Sequence, residues 1–133
     1  MIPQHAINAY AQVSLETAVA TASPHKLVLM LYDGAIDSIR SAKMYLQQQH
    51  MGGKASRISK ALAIIDELDA TLNHEAGGEI AANLAALYEY MTHRLVMANV
   101  DNRMEDLEAV ERILIDLRGG WAEIPPEQIP GAR

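Results

Sequence analysis

The stretch SPHKLVLMLYDGAIDSIRSAKMYLQ, residues 23–47, decides the fold. Its apolar residues Val28, Leu31, Tyr32, Ala35, Ile39, Ala42 and Leu46 recur at the spacing of one face of an α-helix. Ser23 is placed to cap free backbone amides, and Pro24 falls at the first helical position, where a missing N–H costs nothing. The pair Asp33-Gly34 could instead make a hairpin turn. The helical period passes through it without a phase shift, however, and neither flank alternates apolar with polar. The segment is therefore predicted to be one helix, A. Gly34 costs about 1 kcal/mol relative to alanine there, tolerable where a neighbouring helix approaches closely.

Working outward, the same period returns in three further segments. The polar run 48–54, with Gly52-Gly53, predicts the end of A and a loop. Helix B carries Ile58, Ala61, Leu62, Ile65, Leu68 and Leu72, with Arg57, Lys60, Glu67 and Asp69 on its solvated side. Residues 73–78 read as a connection. Helix C follows, with Ile80, Leu84, Leu87, Tyr88, Met91, Leu95 and Ala98 on one stripe and Glu79 in its electropositive first turn. Asp101-Asn102 ends C. Helix D opens with Glu105, Asp106 and Glu108 and carries the seam Leu107, Val110, Leu114 and Leu117. Gly119-Gly120 is predicted to stop it, leaving Trp121 unplaced. Four amphipathic helices joined by short loops predict an all-α, antiparallel up-and-down four-helix bundle. The organisation expected is an N-terminal segment over 1–22 docked on a bundle domain over 23–122, with a flexible tail over 123–133. Ile7, Tyr10, Val13, Leu15 and Val19 give the N-terminal segment apolar side chains that need a place to pack.

Composition narrows the function. A chain of 133 residues fits one domain with a sizeable core. Without cysteine it has no disulfide, thiolate metal site or cysteine nucleophile, which suits a reducing compartment. No segment has the form of a secretion signal or a membrane span, so a cytoplasmic protein without membrane insertion is expected. A formal charge of −6, with both signs mixed along the helices, offers no basic stripe to nucleic acid. Seven methionines, one tryptophan and no phenylalanine make the apolar surface able to repack, which favours adaptable recognition.

Catalytic and metal chemistry find no constellation. A di-metal carboxylate bundle needs glutamate followed three residues later by histidine on each of two helices, and no such spacing occurs. His74-Glu75 lacks the second histidine of a zinc-protease motif, since position 78 is Gly78. Glu89 and His93 share a helix face, which reads as a solvated pair. His5, His25 and His50 fall in leader, cap or loop positions and are expected to be exposed. A histidine phosphotransfer bundle is the alternative of a different class, with His93 as acceptor. There Arg94 supplies one cation, but Leu95, Val96 and Met97 leave no space beside the ring. A generic helical adaptor is the third alternative. No enzyme activity and no cofactor are expected. Helices A and C also carry apolar residues off the main stripe: Leu27, Met30 and Ile36 in one, Ala81, Ala85, Val96 and Met97 in the other. These either widen the core or line a groove for an outside helix.

Several short motifs occur in order along most of the chain. They are Ala9-Tyr10, Thr21-Ala22-Ser23-Pro24 with Leu27, and Met30-Leu31-Tyr32-Asp33-Gly34-Ala35. Then come Gly77-Gly78-Glu79-Ile80-Ala81, Asn83-Leu84, Leu87-Tyr88, Tyr90-Met91, Arg94-Leu95 and Ala98-Asn99. Together they resemble the FliS family of flagellar export chaperones. The resemblance implies a helical bundle that binds the C-terminal region of flagellin in the cytoplasm, blocks premature polymerisation and supports delivery to the flagellar type III export apparatus. The residues it offers to flagellin are Ile7, Tyr10, Val13, Leu27, Met30, Leu31, Tyr32, Tyr88, Met91 and Leu95. An export-gate component, an anti-sigma factor and a homodimer of the free chaperone are the further partners it implies. The chain departs from the family at His93, where the first of two arginines often stands, and at Gly119-Gly120, where relatives stay helical.

Overall fold

The computed structural model describes residues 24–124. These residues form four helices: α1 (Pro24–Gln47), α2 (Met51–Ala70), α3 (His74–Asp101) and α4 (Met104–Glu123). The turns between them span two or three residues, so successive helices run antiparallel. Each helix packs on two neighbours in a closed ring, α1 on α2 and α4, and α3 on α2 and α4. The described residues are therefore an all-α four-helix bundle.

The stripes read from the period meet at the centre. Tyr32, Ile39, Ile58, Ile65, Leu68, Met91, Leu95, Leu107, Val110 and Leu114 are almost wholly removed from water. Each such aliphatic side chain contributes about 1.5–3 kcal/mol through burial. The close approach expected at Gly34 is present. A Cβ there would stand 3.3 Å from Ile64 Cδ1 of α2, inside ordinary contact distance.

Several boundaries differ from the predicted ones, and tertiary contacts explain each. Gly52 and Gly53 lie in the first turn of α2 rather than in a loop. Gln49, in the left-handed region at φ 58°, turns the chain, and His50 caps α2 by accepting a hydrogen bond from Gly53 N–H at its Nδ1. Gly53 is glycine because a Cβ would come within 2.6 Å of the Tyr45 ring. The connection before α3 is confined to 71–73. Asn73 caps the Ala76 amide, and one helical turn precedes a kink at Gly78, whose φ of 51° and ψ of −122° suit only glycine. Ile80 is 63% exposed beyond that kink, and Ala81 takes the buried position instead.

Gly119-Gly120 does not stop α4, which runs on to Glu123. The last turn is held by Trp121, which is partly buried and stacks on His25 with ring centroids 5.8 Å apart. Trp121 Nε1–H donates to the His25 carbonyl at 3.1 Å, and His25 Nε2–H donates to the Trp121 carbonyl at 2.9 Å. His25 is thus a clasp between α1 and α4, not a freely exposed side chain. Ser23 and the whole of 1–22 lie outside the described residues, as does 125–133.

Among the described residues, Ser38, Lys54 and Asp106 are buried polar side chains. Lys54, expected in a loop, reaches across to the end of α3, donating to the Asn99 carbonyl at 2.8 Å and to Asn102 Oδ1 at 2.5 Å. Asn102 itself adopts the left-handed conformation that closes the helix. Asp106 Oδ1 accepts from Arg94 Nε at 2.8 Å, while Oδ2 pairs with Arg103 Nε at 2.9 Å without hydrogen-bond alignment. Ser38 Oγ–H donates to the Gly34 carbonyl within α1. Distant partners meet the Lys54 ammonium and Asp106 Oδ1, while the neighbouring Arg103 offsets the charge at Oδ2; buried charges without such partners would cost several kcal/mol.

Candidate functional site

An opening in the bundle lies between α2 and α3. It is a cavity of about 600 Å³ lined by Ile65, Asp66 and Asp69 of α2 and by His74, Ala82, Ala85, Ala86, Tyr88, Glu89 and Thr92 of α3. The kink at Gly78 offsets the first turn of α3 from the rest of the helix, and that turn carries His74. The small side chains of α3 keep the opening shallow in bulk but long, since Ala82 to Thr92 spans about 15 Å of helix. Its floor includes Ile65 and Tyr88, 1 and 3% exposed.

Tyr88 meets Tyr32 across the bundle, their hydroxyls 2.6 Å apart. Burial pushes both phenols above their ordinary range. For Tyr88 the bond from Tyr32 partly offsets the rise, and the nearby Asp69 carboxylate adds to it. The pair therefore stays protonated and fixes the floor of the opening rather than supplying acid or base chemistry.

The residues expected to meet a partner are distributed unevenly. Tyr32, Tyr88, Met91 and Leu95 lie inside the core and support the surface from beneath. Leu27, Met30 and Leu31 are half-buried on α1. Ile7, Tyr10 and Val13 lie outside the described residues. Of the off-stripe residues, Ile36 and Ala81 widen the core, while Leu27, Met30, Ala85 and Met97 are partly open and Val96 is 43% exposed. The opening between α2 and α3 could not be read from periodicity, because it depends on how far two helices stand apart.

A second feature is a series of exposed large side chains along α3. Ile80, Tyr90, Val96 and Val100 stand 63, 47, 43 and 69% open to solvent. Arg94 donates to the Tyr90 hydroxyl at 3.0 Å, and its guanidinium carbon lies 5.8 Å from the Tyr90 ring centroid. Its hydrogen bonds to Asp106 and Tyr90 raise its pKa further above the arginine value. Arg94 is thus committed to a structural cluster. His93 beside it is exposed. Among the described residues no three histidine or acidic side chains converge to hold a metal ion, and no helix is long and apolar enough to cross a membrane.

Comparison with known proteins agrees with this architecture. The profile of the flagellar protein FliS matches residues 6–128. The chain is 47% identical over 122 residues to the flagellar secretion chaperone FliS of Salmonella typhimurium, covering 91% of this chain and 90% of that relative. It is 39% identical to the flagellar secretion chaperone FliS of Bacillus subtilis, over 92% of this chain and 88% of the relative. It is 38% identical to the flagellar secretion chaperone FliSB of Pseudomonas aeruginosa, over 91% of this chain and 96% of that one. A helical bundle with apolar side chains turned outward, matched along nearly its whole length by these chaperones, belongs to the FliS family of flagellar secretion chaperones.

Proposed function

We propose that the chain binds the C-terminal region of flagellin in the cytoplasm, keeps it from polymerising and supports its delivery to the export apparatus, without catalysing a reaction. The observation that carries this reading is the set of large apolar side chains left exposed along α3 in a protein of this family, with Ile80 and Val100 more than 60% open to water. Large side chains in such number on one helix suit a protein that covers another chain's apolar stripe. A flexible client gains burial on such a surface and loses conformational freedom as it orders, so the net affinity can stay moderate. Moderate affinity matters because export must strip the chaperone away. Leu27, Met30 and Leu31 supply the contact surface on α1 in this reading, with Tyr32, Tyr88, Met91 and Leu95 as its rigid backing.

The segment 1–22 acts as a cover over apolar surface, through Ile7, Tyr10 and Val13, and 123–133 serves as a tail. A tethered cover competes through its high effective concentration even when its own contacts are weak. Ile7→Ala with Tyr10→Ala is therefore expected to leave the bundle folded and to change flagellin affinity measurably by calorimetry. Contacts with an export-gate component or an anti-sigma factor, and self-association of the free protein, would use the same exposed surface. The deciding experiment is co-purification with flagellin of the same cell, full length and lacking its C-terminal segment. Capture of the full-length protein alone is expected; equal capture of both would overturn the reading.

A further inference from the structure

We propose that the last turn of α4 is a hinged latch, which swings at Gly119-Gly120 and, when shut by the clasp of Trp121 on His25, holds the first turn of α1 in place. The hinge and the clasp use none of the residues offered to flagellin. Gly119 and Gly120 are exposed, neither has a positive φ, and a Cβ at either would meet no atom within 4 Å. Neither packing nor backbone conformation therefore calls for glycine here, in contrast to Gly53 beside the Tyr45 ring and Gly78 at the kink. What the pair does supply is weakness. Each glycine disfavours helix about fivefold relative to alanine, and two together roughly 25-fold.

Both sides of the weak point are anchored to α1. Before it, Leu117 packs on the core and Arg118 pairs with Asp33. After it, Trp121 stacks on His25, donates to the His25 carbonyl and accepts from the His25 ring. The Trp121 carbonyl is one of the last of α4, where intrahelical donors run out, and no basic side chain stands in that turn, so His25 serves an end that α4 cannot serve itself. Two hydrogen bonds, each shifting an equilibrium by about two- to twelvefold, and one ring stack are thus set against the glycine pair. The opposing effects are of similar size, which leaves a shut majority and an accessible open state, with the two glycines absorbing the change in direction. The position gives the latch its role. The chain enters the bundle at Pro24, beside His25, and leaves it just after Trp121, so the shut latch ties entry to exit and the open one releases both together.

The test uses the full chain, whose single tryptophan is the reporter. Amide hydrogen exchange and acrylamide quenching of Trp121 fluorescence read the latch from its two sides. The amides of 121–124 and those of Val28 and Leu29, the first to bond back to Pro24 and His25 in α1, are expected to share one protection factor, well below that of the bundle centre. Gly119→Ala/Gly120→Ala should raise that shared protection by up to about 25-fold and shield Trp121 from acrylamide. His25→Ala should lower it by about tenfold or more and expose Trp121, with the amides of Ile39 and Leu114 unchanged. The alanine pair is the sharper arm, because Val28 and Leu29 lie far from it in sequence and respond only through the clasp; should His25→Ala fail to fold, it decides alone. An alanine pair that leaves Val28 and Leu29 unaffected, or opening of 121–124 in the wild type only together with the bundle centre, would overturn the proposal.

Discussion

The Tyr32–Tyr88 hydroxyl pair gives the sharpest test of how the bundle is held together. Both side chains are at most 3% exposed, and their oxygens lie 2.6 Å apart. Replacing one by phenylalanine leaves the other hydroxyl buried without a partner, which costs about 1–3 kcal/mol. Replacing both removes the two polar groups together, and the vacated space is small, so the double variant should be no worse than either single one. The expected coupling in a double-mutant cycle is at least as large as one single loss, about 1–3 kcal/mol. In urea, with a slope of about 1–3 kcal/mol per molar, a loss of about 2 kcal/mol moves the single-variant midpoints by roughly 1 M. Single losses that simply add in the double variant would refute the reasoning, because each hydroxyl would then have an independent partner. The same pair predicts alkaline behaviour. Burial raises both phenols in the folded state, so stability is intact below the ordinary phenol pKa of about 10 and falls as pH rises past it. The unfolded chain ionises there while the folded one keeps its protons. Tyr32→Phe/Tyr88→Phe should lose much of that fall.

Trp121→Ala should fray α4 from Gly119 onward, read as lost amide protection in hydrogen exchange over residues 119–124 with the centre of the bundle unchanged. Lys54→Met should destabilise by about 1–3 kcal/mol in chemical denaturation, since the Asn99 carbonyl and Asn102 Oδ1 lose their donor at the end of α3. Glu111 is pushed up by partial burial, but bonds from Lys43 and Arg40 outweigh this and hold its carboxyl below the usual range. Its contribution is therefore present above the ordinary glutamate pKa and is lost as pH falls through the folded value. Glu111→Gln should flatten the acid limb of a stability-versus-pH curve.

The four helices were legible because the period in Val28 to Leu46, Ile58 to Leu68, Tyr88 to Ala98 and Leu107 to Leu114 is set by burial, and burial is what the fold obeys. Asp33-Gly34 was rightly kept in a helix for the same reason. The glycine pairs misled in both places. Glycine lowers helix propensity locally, but at Gly53 it makes room for the Tyr45 ring, and at Gly119-Gly120 the clasp of Trp121 on His25 carries the helix through. Lys54 read as part of a polar loop and Asp106 as a first-turn helix charge because the partners that meet them inside the bundle, Asn99, Asn102 and Arg94, stand up to 48 residues away. The candidate site was legible only as surplus apolar residues on α1 and α3. Ile36 and Ala81 proved to be core, and the opening between α2 and α3 arises from helix spacing that no local pattern encodes.

The His25–Trp121 clasp brings residues 24 and 124 to one end of the bundle, with the turns at 48–50 and 102–103 at the other. The molecule can therefore be cut and rejoined. A circular permutant that links the two ends near the clasp and opens the chain at Gln48-Gln49 would keep all four helices in their places, because closely spaced ends and an exposed turn are what permutation requires. In such a molecule whatever precedes α1 and follows α4 becomes an internal loop, so its influence on a client could be measured with both chain ends moved to the far side.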